Sequence, residues 1–136
     1  MIISASRRTD IPAFYADWLV NRIRAGFCMV ANSWNPRQVS RVSLAPADVD
    51  AIVFWSKNPA PLMRHLPELD RMPLRYCFLC TVNDYPVHLE PHVPPLAARL
   101  ETFRNLSAMF GKGKVVWRYD PVIMSGLLDC DYHRRA

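Results

Sequence analysis

Short apolar runs alternate along this chain with segments whose apolar residues recur at helical spacing. The apolar runs predict β-strands near residues 2–6, 27–31, 51–56, 74–82 and 114–119. The periodic segments predict helices near residues 12–25, 59–69 and 95–110. Because the strands are apolar nearly throughout, we expect both of their faces to be covered, as in parallel sheets. The alternation therefore predicts an α/β fold of parallel β/α units with right-handed crossovers.

One further segment, "QVSRVSL" at residues 38–44, alternates between polar and apolar residues and predicts another extended stretch. It follows the turn-rich sequence "NSWNP", which predicts a loop. Asp10 or Thr9 is placed to cap the first helix, with Pro12 in its first turn. Pro67 is expected to end or bend the second helix.

The length and composition indicate an ordinary globular domain. A chain of 136 residues suits a single domain over residues 1–136 with its own hydrophobic core. Its 51% hydrophobic and 21% charged residues are not those of a disordered chain. No apolar run is long enough to cross a bilayer, and Arg7, Arg8 and Asp10 interrupt the region where a signal peptide would be apolar. We therefore expect a cytoplasmic protein with no membrane partner.

The cysteines and histidines predict no metal site within this chain. Cys77 and Cys80 form a C-x-x-C, but they lie in an apparent strand, where residues three apart point to opposite faces. The sequence "HLEPH" at residues 88–92 would need one helix to form a zinc motif, and Pro91 works against a helix. Core packing of the cysteines is the favoured interpretation.

Polar residues gather directly after the predicted strands. The five stretches are, in chain order, "SRRTD", "NSWNP", "SKNP", "ND" and "RYDP". In parallel α/β folds, ligands bind at the carboxyl ends of the strands. Alternation along a strand places Lys57 on one face with Trp55, and places Arg118 and Asp120 together on one face of the last strand. These side chains are therefore expected to converge from neighbouring strand ends.

This convergence predicts a site for an anionic group. The candidate catalytic residues are Asp10, Lys57, Arg118 and Asp120. The candidate cofactor-binding residues are Arg7, Arg8 and Asn58. Cations of this kind bind and orient phosphate or carboxylate, and a partly desolvated lysine can donate or accept a proton. Structural alternatives stand beside these roles, since Asp10 and Asn58 could act only as helix caps and Arg118 could only pair with Asp120.

Four stretches of the chain resemble, in this order and spacing, a bacterial family of unknown function. They are "ISASRRTDIPAFY", "NPRQVSRVSLAP", "VFWSKNPAPL" and "VWRYDPVI". Members of that family are roughly twice this length, which is the size of a full (β/α) barrel. Their C-terminal part carries a cysteine cluster resembling that of radical S-adenosylmethionine enzymes. By position, the family's motifs point to the same seven candidate residues.

The resemblance implies that the chain is the N-terminal half of a TIM-like barrel, truncated before the cysteine cluster. Full-length members would then be radical S-adenosylmethionine-like enzymes with an iron–sulfur cluster and S-adenosylmethionine, and this chain alone would hold neither and be inactive. An open sheet edge would favour self-association. One alternative is a metal-independent enzyme or binding module for an anionic small molecule. Another is a nucleic-acid-binding protein, which the net charge of +5 allows.

Overall fold

The structure, a computed structural model, describes residues 1–6 and 8–135. Its strands are β1 (Ile2–Ser4), β2 (Phe27–Ala31), β3 (Val39–Ser43), β4 (Ala51–Ser56), β5 (Tyr76–Thr81) and β6 (Val115–Arg118). Its helices are α1 (Ile11–Phe14), α2 (Ala16–Ala25), α3 (Ala60–Met63), α4 (Leu66–Leu69), α5 (Leu96–Phe110) and α6 (Cys130–Arg135).

Four of these strands form a parallel sheet in the order β1-β4-β5-β6. The registers pair Ser4 with Val53 between β1 and β4, and Trp55 with Leu79 between β4 and β5. Between β5 and β6, Thr81 pairs with Arg118. Each strand lies beside the sheet strand that precedes it in the sequence, and helical segments lie between successive strands in the chain. The predicted α/β class with a parallel sheet is thereby confirmed.

The expected place of β2 in this sheet is wrong. Strand β2 instead pairs with β3 in a separate antiparallel sheet, with Phe27 opposite Ser43 and Ala31 opposite Val39. The cause is the short loop of residues 32–38, where the backbone amide of Asn32 donates to the backbone carbonyl of Gln38. Strands so close in sequence pair as a hairpin, because a parallel pair needs a crossover of about a dozen residues or more. The extended segment predicted at 38–44 is confirmed as β3.

Two predicted helices are each divided in two. The segment 12–25 is interrupted at Tyr15, which closes α1 and begins α2. The segment 59–69 forms α3 and α4, and Pro67 lies in the first turn of α4 rather than at its end. Proline suits this position because the first-turn amides of a helix have no partner within the helix. The third helix, predicted near 95–110, is confirmed as α5.

The core lies on one face of the parallel sheet. Along β4, Ile52, Phe54 and Ser56 are buried, and Phe78 of β5 is fully buried beside Phe54. The opposite face is only partly covered, since the exposed fraction is 37% for Trp55 and 45% for Val116. The expectation that both faces are covered is therefore wrong for this face, on which Trp55 borders a pocket.

The ends of the parallel sheet are strands β1 and β6. Ile2 on β1 has 70% of its surface exposed. Self-association through such an edge stays a prediction. Among the helices of the described residues, none has the length and apolar character needed to cross a membrane.

Candidate functional site

A pocket of about 290 Å³ lies at the carboxyl ends of the parallel strands. Its wall includes four of the predicted site residues, namely Asp10, Lys57, Asn58 and Arg118. Strand geometry explains why they meet. Side chains two residues apart along a strand share a face, so Lys57 lies on the same partly exposed face as Trp55. Trp55 pairs with Leu79 of β5, and Leu79 pairs with Val116 of β6. Arg118, two residues after Val116, therefore lies on this face as well. The predicted convergence of Lys57 and Arg118 is therefore present in the structure.

Asp10 joins the start of α1 to the end of β4. Its Oδ1 accepts a hydrogen bond from the Ala13 amide at 3.0 Å, which confirms the predicted helix cap. Its Oδ2 accepts from the Ser56 hydroxyl at 3.0 Å and from the Lys57 amide at 2.8 Å. Both carboxylate oxygens are thus engaged by the protein, and Asp10 holds the backbone of Lys57 in place. A catalytic role for Asp10 stays a prediction.

Lys57 is enclosed by the segment that follows β5. Its Nζ forms an ion pair with Glu90 and donates to the Asn83 Oδ1 at 3.2 Å. The same Nζ lies 5.6 Å from the centre of the Tyr85 ring. Only 21% of the Lys57 side chain is exposed, against 17% for Glu90. The ammonium group is therefore largely removed from solvent and held by acceptors from one loop.

Arg118 lies against an aromatic side chain at the pocket wall. Its guanidinium carbon is 4.7 Å from the centre of the Trp55 ring, within cation–π distance. Its Nη2 also donates to Asp120 in an ion pair. Arg118 side-chain exposure is 31% and that of Asp120 is 51%. The planar group is thus oriented by Trp55 on its face and by Asp120 at its edge.

The remaining predicted residues are placed differently. Asn58 lines the pocket, and its backbone amide donates to the Ser56 hydroxyl oxygen at 2.9 Å. It is not the cap of α3, whose N-cap is Pro59. Arg8 donates instead to the Ala31 carbonyl and lines a second cavity of about 920 Å³ between β1 and β2. Arg7 lies outside the described residues.

The loop of residues 83–95 contributes groups that sequence analysis did not single out. Arg99 of α5, only 6% exposed, donates from Nη1 to the Asn83 carbonyl at 2.8 Å and from Nε to the Pro94 carbonyl at 2.9 Å. Burial lowers the pKa of this guanidinium from its ordinary value. Arg99 thereby holds both ends of the loop, which carries Glu90 to Lys57. Sequence analysis considered the "HLEPH" segment of this loop, which contains Glu90, only for a zinc motif and did not link Glu90 to Lys57.

The four cysteines are distributed over three elements. Cys28 is in β2, Cys130 begins α6, and Cys77 and Cys80 occupy alternate faces of β5. Burial, and secondarily the negative charge of Asp10, raises the pKa of the Cys80 thiol to about 12. Cys80 is therefore a thiol at neutral pH, and a thiol is a weak nucleophile.

We expect iodoacetamide at pH 8 to alkylate exposed Cys130 first and Cys80 last, because only the thiolate reacts and Cys80 is 3% exposed. Peptide mapping by mass spectrometry measures the order. The unfolded thiol ionises near pH 9 and the folded one near 12. The free energy of unfolding therefore falls as pH rises from about 9 to about 12, because the unfolded thiol loses its proton first. Alkylation of Cys80 at the rate of Cys130 in folded protein would contradict this prediction.

Comparisons of the chain with curated proteins and with solved structures gave no match. A family model described as "Domain of unknown function (DUF1848)" matches residues 2–136. This match spans nearly the whole sequence and includes every residue of the pocket. The chain therefore belongs to the DUF1848 family of domains of unknown function.

Proposed function

We propose that the pocket binds a small molecule through an anionic group, carboxylate or phosphate, and that the chain acts as an enzyme or binding module for that molecule. The observation that carries the proposal is the position of Lys57 and Arg118. Lys57 directly follows β4 and Arg118 ends β6, two strands of one parallel sheet, and both line the same pocket at the sheet's carboxyl edge. This is where parallel α/β proteins place their ligands.

Both cations keep hydrogen-bonding capacity for a ligand. An ammonium group has three donors, and the partners of Lys57 Nζ among the described residues are Glu90 and Asn83. A guanidinium has five donors, and within the same described part Arg118 contacts Asp120 through Nη2. Both residues line the pocket, so their remaining donors are available for a ligand bound there. They support binding of an anionic oxygen through directed, charge-assisted hydrogen bonds.

The size and lining of the pocket support a small ligand with a flat part. Its volume of about 290 Å³ is at the lower end of the range for ligand pockets. Trp55 forms an aromatic wall beside Arg118. An aromatic carboxylate such as benzoate has both the anionic group and the flat surface, so benzoate is a suitable first probe.

We expect Arg118→Ala to weaken benzoate binding about tenfold or more, because a charge-assisted hydrogen bond is worth about 1.5–3 kcal/mol. Chemical-shift titration by NMR measures the dissociation constant for each variant. Arg104→Ala, which removes an exposed arginine from α5, is the matched control and should leave binding unchanged. Equal affinities for wild type and Arg118→Ala, or no benzoate binding at all by the wild type, would contradict the proposed site.

A second candidate function follows from the resemblance and from the strand order. Each parallel strand is added beside the preceding one, as in the first half of a (β/α) barrel. In this candidate the chain is the N-terminal half of a TIM-like barrel in a radical S-adenosylmethionine-like enzyme. It would contribute the polar residues of the pocket toward substrate or S-adenosylmethionine.

The residues that the structure describes do not provide a ligand set for an iron–sulfur cluster. Within residues 1–6 and 8–135, no three histidine, cysteine, aspartate or glutamate side chains come together as a metal-binding group. The described cysteines do not supply the three thiolates such a cluster uses. This candidate therefore requires cluster ligands from outside the described residues.

Nucleic-acid binding, the remaining alternative, is supported by the net charge of +5 alone. Binding of a DNA oligonucleotide with a steep dependence on salt concentration would favour it over small-molecule binding.

A further inference from the structure

The two cations of the pocket are already paired with carboxylates of the chain. Lys57 pairs with Glu90 and Arg118 pairs with Asp120. Asp10 adds a third carboxylate, and of the three it is the one that lines the pocket, whereas Glu90 and Asp120 contact the pocket's cations. These five described groups comprise two positive and three negative charges, a net charge of −1. The pocket therefore offers directed donors to an anion without an excess of positive charge.

Glu90 is the most enclosed member of the two ion pairs. Its side chain is 17% exposed, against 51% for Asp120, so solvent screens the charge of Glu90 less. Its Oε1 pairs with Lys57, whereas its Oε2 is buried and has no hydrogen-bond partner among the described residues. A buried carboxylate with one oxygen unsatisfied is costly to keep. Because solvent screens it weakly, the charge of Glu90 acts on Lys57 and on any ligand bound beside Lys57.

The position of Glu90 is determined by a braced loop. Arg99 holds the loop at the Asn83 and Pro94 carbonyls. The Tyr85 hydroxyl donates to the Pro121 carbonyl and accepts from the Ile123 amide, which joins the loop to the segment after β6. Glu90 is therefore held against Lys57 by contacts of its loop, among which only Pro94 also lines the pocket.

We infer that Glu90 determines the charge specificity of the pocket, which takes a singly charged carboxylate in preference to a doubly charged phosphate. The inference rests on the proposed function. At the same distances a dianion experiences twice the Coulomb energy of a monoanion, both in its repulsion from Glu90 and in its attraction to Lys57 and Arg118. Because the five groups together carry a net charge of −1, the balance disfavours the dianion, and Glu90 supplies one of the negative charges. The number of donors that Lys57 and Arg118 present stays the same for both ligands. Glu90 thus acts through its charge and through Lys57, as a positioning and specificity-determining residue.

Benzoate and phenyl phosphate test the inference, because they share the ring and differ in charge. At pH 8 the phosphate is almost fully dianionic, since its second pKa is about 6. We expect the wild type to bind benzoate more tightly than phenyl phosphate. Glu90→Gln, which keeps the side-chain shape and an acceptor for Lys57, should shift the affinity ratio toward phenyl phosphate by roughly three- to tenfold. Glu101→Gln removes an exposed carboxylate from α5 and should leave the ratio unchanged.

The outcomes separate this inference from the proposed function. If both probes bind and Glu90→Gln leaves their ratio unchanged, or weakens both equally, Glu90 does not determine specificity while the anion site stands. If Glu90→Gln does not fold, as judged by circular dichroism, the wild-type comparison decides, and tighter binding of phenyl phosphate overturns the inference. If neither probe binds to the wild type, the proposed function fails and the inference fails with it.

Discussion

We expect Phe78→Ala to lower the free energy of unfolding by about 3–5 kcal/mol, the largest loss among the changes considered. Phe78 is fully buried in the middle of the parallel sheet. Its ring centre lies 5.2 Å from that of Phe54, 5.9 Å from Tyr76 and 6.2 Å from Phe110, so one substitution removes contacts to β4, β5 and α5 together. The cavity left behind adds to the lost transfer free energy because close-packed surroundings relax only partly.

Urea denaturation measures this loss as a shift of the transition midpoint with an unchanged slope. Leu127→Ala is the matched control, because Leu127 has 84% of its surface exposed and its truncation should change stability by less than about 0.5 kcal/mol. A loss below about 1.5 kcal/mol for Phe78→Ala would mean that the aromatic cluster is not the centre of the core.

Asp10→Ala is expected to destabilise the protein by about 2–4 kcal/mol and to weaken benzoate binding as well. The substitution removes the cap of α1 and leaves the Ser56 hydroxyl and the Lys57 amide without the acceptor they now share. Ser56 is 4% exposed, so its hydroxyl has little access to water as a replacement. Because Asp10 holds the backbone of Lys57, the ammonium group loses its position relative to Arg118.

Thermal and urea unfolding measure the stability, and NMR titration at a temperature where each variant is folded measures binding. Asp10→Asn keeps one acceptor oxygen and should recover about half of the lost stability. Asp17→Ala removes an exposed carboxylate that pairs with Arg64, and a surface pair of this kind contributes only about 0–1 kcal/mol. Full stability in Asp10→Ala would show that the hydrogen bonds at the end of β4 are unimportant.

The fold could be predicted where its signal is local. The apolar runs at β1, β4, β5 and β6 and the helical period of α5 are properties of neighbouring residues. Which strand a given strand pairs with is not a local property, and β2 is the example. Its apolar run "FCMVA" looks like that of the parallel strands, but the short loop before β3 makes the hairpin the accessible pairing. The extended segment predicted at 38–44 follows β2 after this short loop, and it is the strand with which β2 pairs.

The candidate site could be predicted in part for the same reason. Lys57 and Arg118 follow directly on strand ends, so the alternation of a strand and the rule for parallel sheets place them on one face and at one edge. Arg8 also follows a strand end, yet its side chain reaches the Ala31 carbonyl of β2. That contact depends on where the hairpin packs, which strand alternation does not specify.

Local sequence patterns predicted the parallel β/α units, a cap at Asp10 or Thr9, and the sheet edge where Lys57 and Arg118 meet, because hydrophobic period and capping act over a few residues. Which carboxylate faces Lys57 depends on tertiary packing. Glu90 lies 33 positions further along the chain and reaches Lys57 through a loop held by Arg99 and Tyr85. An ion pair between distant residues is set by the packing of every element between them, and no local pattern carries that information.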